Sequence, residues 1–148
     1  MVHDFKRFPE LTNSQLQIYY FESPHKQLID DFRATVTKVI DGDTIRVEMN
    51  DRDFDFPIRF SNTAAPEMGE AGGREAQSWL ENQILGKEVD IVIHESRVGK
   101  WGRLLGEVIS NGVSMNEESM RRGFAIPFSE RESSTIPNFS AEIEVSPW

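Results

Sequence analysis

The amino-acid sequence predicts a β-rich α+β domain: a five-stranded β-barrel with one helix after the third strand and a second, short helix after the fifth. Three observations carry that reading. Apolar and polar residues alternate through several short segments, residues 73–85 space their apolar side chains at helical intervals, and Asp-Gly, Gly and Asn-Gly breaks separate these stretches. The chain has 148 residues. That is the size of one domain with modest extensions, since domains commonly run about 100–150 residues.

Residues 1–31 form an N-terminal extension with one candidate strand, residues 16–21, stopped by Ser23-Pro24. Within it, Tyr19, Tyr20 and Phe21 read as an apolar edge laid over the barrel, with a base-stacking platform as the alternative. The domain proper spans 32–128. Residues 34–40 make its first strand, ending at Asp41-Gly42. In 44–49, Ile45, Val47 and Met49 share one face and Thr44, Arg46 and Glu48 the other. In 53–61, Phe54, Phe56, Ile58 and Phe60 point one way, so period-2 geometry turns Arg59 outward. Pro57 has no amide to give to a ladder.

The helix at 73–85 follows, with Ala76, Trp79, Leu80, Gln83 and Ile84 on one face and Gly86 as its stop. Trp79 belongs to the core. Residues 87–95 return to strand, with Val89, Ile91 and Ile93 inward and His94 solvated. Residues 103–109 are the last strand, closed by the Asn111-Gly112 turn. Ser114 and Glu117 have capping-box spacing for a short helix that Gly123 ends, with Met115 and Met120 packing it. Residues 129–148 form an acidic polar tail with little periodicity. Three strands, a helix, two strands and a helix is the element order of a five-stranded OB-type barrel.

Composition narrows the chemistry. There are no cysteines, which excludes disulfides, thiolate zinc sites and cysteine nucleophiles. No stretch approaches the ~18 apolar residues of a transmembrane helix. No apolar run with a small-residue cleavage site opens the chain, so a cytoplasmic location is the default expectation. The net charge of −9 argues against a broad polyanion-coating surface. A local basic segment survives: residues 96–105 hold Arg97, Lys100 and Arg103 and no acid.

Four short pieces carry candidate chemistry. Asp41-Gly42-Asp43-Thr44 lies between two strands; it reads as a tight turn, or as a turn that presents the Asp43 carboxylate to a hard cation. Arg59 stands opposite four apolar residues. Ala65-Pro66-Glu67 places a carboxylate just beyond the same strand. Lys100-Trp101-Gly102-Arg103 leads into the last strand.

In this order and spacing, the chain from Ala34 to Ala125 resembles the staphylococcal nuclease (thermonuclease) family. Asn116-Glu117 and Gly123-Phe124-Ala125 look like that family's second helix and its exit. The resemblance implies an OB-fold and calcium-dependent hydrolysis of DNA and RNA phosphodiesters, with single-stranded or frayed nucleic acid as substrate. By position, Asp43 resembles a calcium-ligating aspartate and Glu67 the glutamate that activates or positions water. Arg59 and Arg103 resemble the arginines that clamp the scissile phosphate. Lys100 matches a lysine near a second phosphate, and Trp101 stands where the family usually has tyrosine. The residue types suit the task, because planar guanidinium groups match the charge that builds on phosphoryl oxygens.

Two departures stand out. Ala64 occupies the position of the family's second metal-binding aspartate, which leaves Asp43, the Ala65 carbonyl and Asp41 as candidate calcium ligands. The C-terminal part carries Ile126-Pro127-Phe128 and a short polar tail instead of a long helix. Phe128 reads as a core or edge contact, with base stacking as the alternative. Two functions follow: a metal-dependent nuclease, or a catalytically silent OB module that binds nucleic acid or a protein partner.

Overall fold

Strand β1 (Phe32–Asp41) is the spine of the barrel. It pairs antiparallel with β2 (Thr44–Glu48) on one side and with β5 (Glu88–Val92) on the other. The computed structural model describes residues 3–19, 23–94, 96–99 and 102–129. Strand β3 (Phe56–Phe60) follows β2, and β6 (Leu104–Ser110) follows β5. A parallel pairing of β3 with β6, Arg59 opposite Leu105, closes the barrel. The expected five-stranded barrel is therefore present, with its helices after the third and fifth long strands.

The inward row is the one alternation predicts: Ile45, Val47, Phe56, Ile58, Phe60, Val89, Ile91, Leu104 and Val108 are all buried. Each large aliphatic or aromatic side chain so placed contributes roughly 1.5–3 kcal/mol. In β1 the period breaks, since Ala34, Val36 and then Val39 face in. Register shifts fall between Val36 and Lys38 and between Val39 and Asp41, and such bulges bend a strand enough to wrap a small barrel.

Helix α2 (Gly73–Ile84) buries Gly73, Ala76, Leu80 and Ile84, and Gly86 at φ 78° ends it as expected. A two-residue strand β4 (Thr63–Ala64) precedes it and pairs with β8 (Ile126–Pro127). After β6, Asn111 and Gly112 both take positive φ, as a two-residue hairpin turn requires, and lead through β7 (Val113–Ser114) into α3 (Met115–Arg121). The Ser114 hydroxyl accepts the Glu117 N–H at 3.2 Å, confirming the cap. Trp79 is half-buried against the core and stacks on Phe124, with ring centres 5.2 Å apart.

The N-terminal extension departs from expectation. Residues 16–19 of the segment read as a strand at 16–21 are helical, in α1 (Asn13–Tyr19). Its signal is a capping box: the Gln15 N–H donates to the Thr12 hydroxyl at 3.3 Å, and the Thr12 N–H donates to the Gln15 side chain at 3.0 Å. Tyr19 is exposed and does not cover the barrel; Tyr20 and Phe21 lie outside the described residues. Phe5 and Leu28 pack on the core instead. His3 stacks on Phe54 with ring centres 4.2 Å apart.

Candidate active site

The corner between β2, β3 and β4 is built around Asp43. Its side chain is wholly buried. One carboxylate oxygen accepts the Ala65 N–H at 2.8 Å and lies 3.4 Å from Arg59 Nη2. The other accepts the Thr44 hydroxyl at 3.1 Å. Burial pushes the Asp43 carboxyl up, the Arg59 charge pulls it down, and Asp41 adds to the rise. The Asp41 carboxylate accepts the Asp43 N–H at 3.0 Å, which caps the turn. Gly42 is needed for space: a Cβ there would stand 2.7 Å from the methyl groups of both Ala65 and Ala76.

Arg59 is not on a solvent face. It is 4% exposed, a correction to the outward orientation inferred from strand parity. Its Nη1 donates to the carbonyls of Phe60 at 2.9 Å and Thr63 at 2.7 Å. Its guanidinium carbon lies 5.8 Å from the centre of the Phe128 ring. Parity is obeyed, but the outer face of β3 is itself covered here, so Pro57 and Arg59 are buried along with Phe56, Ile58 and Phe60. Arg59 thus holds the turn between β3 and β4 closed and neutralises Asp43.

Glu67 and Arg103 differ from this buried pair, as both are half-exposed. The Glu67 N–H donates to the Glu70 carboxylate at 2.7 Å, and the Glu67 carbonyl accepts the Glu70 N–H at 2.8 Å. Gly73 fits tightly against this turn, since a Cβ there would reach within 2.0 Å of the Glu67 carbonyl oxygen. Arg103 immediately precedes β6, and its carbonyl accepts the Gly99 N–H at 2.8 Å. Lys100 and Trp101 lie outside the described residues.

Arg97 is 4% exposed, which removes it from the basic surface read at 96–105. Asn116, which the sequence marked only as part of a helix, is buried and ties α3 to the barrel. Its side-chain oxygen accepts the Val108 N–H at 3.0 Å, and its amide donates to the Ser61 carbonyl at 2.9 Å. His94 is exposed, as expected, and lies 3.5 Å from Glu107.

The donor set does not fit a resident calcium ion. Calcium takes six to eight oxygen ligands, yet both Asp43 oxygens are engaged by protein donors and Ala64 contributes a buried methyl group. One Asp41 carboxylate oxygen accepts the Asp43 N–H. Among the described residues, no three His, Asp or Glu side chains form a group able to hold a metal.

A closed barrel of OB type, with a buried carboxylate–guanidinium pair and a half-exposed glutamate and arginine on the adjoining segments, is the class of protein defined by this fold and site. The profile of staphylococcal nuclease homologues matches residues 57–144, and the chain belongs to that family. A micrococcal nuclease of Shigella flexneri is 37% identical over 78 residues, 53% of this chain and 42% of that protein. An uncharacterized endonuclease of Escherichia coli O157:H7 is 32% identical over 111 residues, 74% of this chain and 69% of that protein. The chain therefore spans less than half the length of the micrococcal nuclease and about two thirds of the endonuclease. Among the described residues, no helix is long and apolar enough to cross a membrane.

Proposed function

We propose that the chain hydrolyses phosphodiester bonds of single-stranded or frayed DNA or RNA, with Glu67 and Arg103 as its catalytic residues. The observation that carries this reading is the contrast within a nuclease-family fold: Glu67 and Arg103 remain half-exposed while Asp43 and Arg59 are buried. Glu67 takes a proton from water as the water oxygen bonds to phosphorus. The bond from phosphorus to the leaving oxygen breaks, and that oxygen takes a proton from solvent. Arg103 donates to the phosphoryl oxygens, where a preorganised donor is worth about 10²–10³ in rate. Arg59 keeps the corner folded. A divalent cation brought in with the substrate would supply charge to the phosphoryl oxygens.

The alternative is a silent module that binds nucleic acid or a protein partner. The buried Asp43 and the methyl at Ala64 favour it. Cleavage of single-stranded DNA and RNA, measured with calcium, with magnesium and with chelator, separates the two. Cleavage by wild type that Glu67→Gln abolishes supports the nuclease; binding without cleavage under every condition supports the module.

A further inference from the structure

We propose that the N-terminal arm is a clamp on the loop that presents Arg103, and that Glu10 is its positioning residue. Glu10 is 2% exposed. Its carboxylate meets Arg52 at 2.6 Å, His25 at 3.2 Å and Arg97 at 3.8 Å. These partners come from three parts of the chain, and Arg97 belongs to the connection between β5 and β6. Arg97 is drawn into the arm almost completely. Its Nε donates to the Leu28 carbonyl at 2.6 Å, its Nη1 to the Leu11 carbonyl, and its Nη2 to the Gln27 side-chain oxygen at 3.4 Å.

A second contact seizes the far end of the same loop. The Glu10 N–H donates to the Gly102 carbonyl at 2.8 Å. Gly102 has φ +72°, and a Cβ on it would fall 2.3 Å from Pro9 Cβ. Inside the loop, Gly102 N–H donates to Gly99 O at 3.0 Å, Gly99 N–H to Arg103 O at 2.8 Å and Leu105 N–H to Arg97 O at 2.8 Å. The arm therefore grips the loop at Arg97 and Gly102, and Arg103 is the next residue. Glu10 acts through these two grips, while the region matched by the family profile begins at residue 57 and contains the loop but not the arm.

The functional half of this inference rests on the nuclease reading above, through Arg103. The test uses the full chain with Glu10→Gln, which removes the charge at constant size, and Pro9→Gly, a milder change that removes the ring packed on Gly102. Amide hydrogen exchange of residues 96–105 is measured beside KM and kcat on a single-stranded oligonucleotide. Loss of a charged partner for buried arginines should speed loop exchange by about tenfold or more while the amides of β1 to β3 keep their protection. kcat should fall more than KM rises. Unchanged loop exchange in both variants overturns the clamp. Faster exchange with unchanged KM and kcat in a cleaving protein overturns the positioning role. If wild type cuts nothing, the nuclease reading fails on its own, and hydrogen exchange still decides the clamp.

Discussion

Ala64→Asp is the substitution that bears hardest on the cation question. On the sequence alone, it restores a missing metal carboxylate at little cost in stability. The structure changes that expectation, because Ala64 is fully buried in β4 and paired with Ile126. A carboxylate there loses its water and stands one residue from Ala65, whose N–H already serves Asp43. Burying an ion without a partner costs several kcal/mol, about 3–5 here. For a chain of this size each kcal/mol moves the thermal midpoint by roughly 2–4 °C, so a fall of about 6–20 °C is expected in chelator. Calcium at a hundredfold excess over its Kd would return about 2.7 kcal/mol. Melting curves of both proteins in chelator and in calcium, with calorimetric titration alongside, read this directly. A wild-type midpoint that rises with calcium as far as the mutant's would refute the argument from the donor set.

Three further outcomes follow from the same geometry. Arg103→Ala should lower turnover by about 10²–10³ with little change in thermal midpoint, whereas Arg59→Ala, which leaves buried Asp43 unpaired, should cost about 3–5 kcal/mol of stability; melting curves and single-turnover rates separate the two. Burial raises the Glu10 carboxyl, but hydrogen bonds from His25 and Arg52 outweigh it and hold the carboxyl below its ordinary 4.5. Its stabilisation is thus present above that value and lost as pH falls through the lower, folded value. Melts over an acid series should show a steep acid limb that Glu10→Gln flattens. With Arg97 withdrawn into the arm, segment 96–105 offers fewer cations to a phosphate backbone than its sequence suggests, so log affinity for a single strand should fall with log salt at about −0.7 per contact over roughly one or two contacts. A slope several times steeper, measured by anisotropy, would mean that another basic surface is engaged.

The barrel was legible because β2, β3 and β5 alternate cleanly and the turns that join the elements carry Asp-Gly, Asn-Gly or a stop glycine. What was not legible has particular causes. The bulges in β1 put Val36 and Val39 on one side, three residues apart, and no period-2 template anticipates that. Parity placed Arg59 opposite the core, but whether that face meets water depends on Phe128, far along the chain. The burial of Arg97 is decided by the carbonyls of Leu11 and Leu28. The signal for helix α1 lies in the Thr12 and Gln15 capping pair, which the strand reading at 16–21 does not use. The motif named Asp43, Arg59, Glu67 and Arg103 as candidates, while their division into a buried pair and a partly exposed pair depends on the folded structure.

That division connects to the departure at residue 64. Two carboxylates beside one guanidinium would carry a net negative charge, and such a corner stays open or recruits a cation, since uncompensated charge is costly away from water. With Ala64 in place, one carboxylate faces one guanidinium, and Asp43 and Arg59 neutralise each other at 3.4 Å. The Ala65 N–H and the Thr44 hydroxyl complete the carboxylate's hydrogen bonds, and Arg59 spends Nη1 on two carbonyls. The corner can then close fully, as the 0% exposure of Asp43 records. A single methyl group thereby separates structure from chemistry: the pair that would have held metal and phosphate becomes an internal brace. On the proposed nuclease reading, the chemistry falls to groups outside that brace, Glu67 and Arg103, and the arm that holds the Arg103 loop supports it.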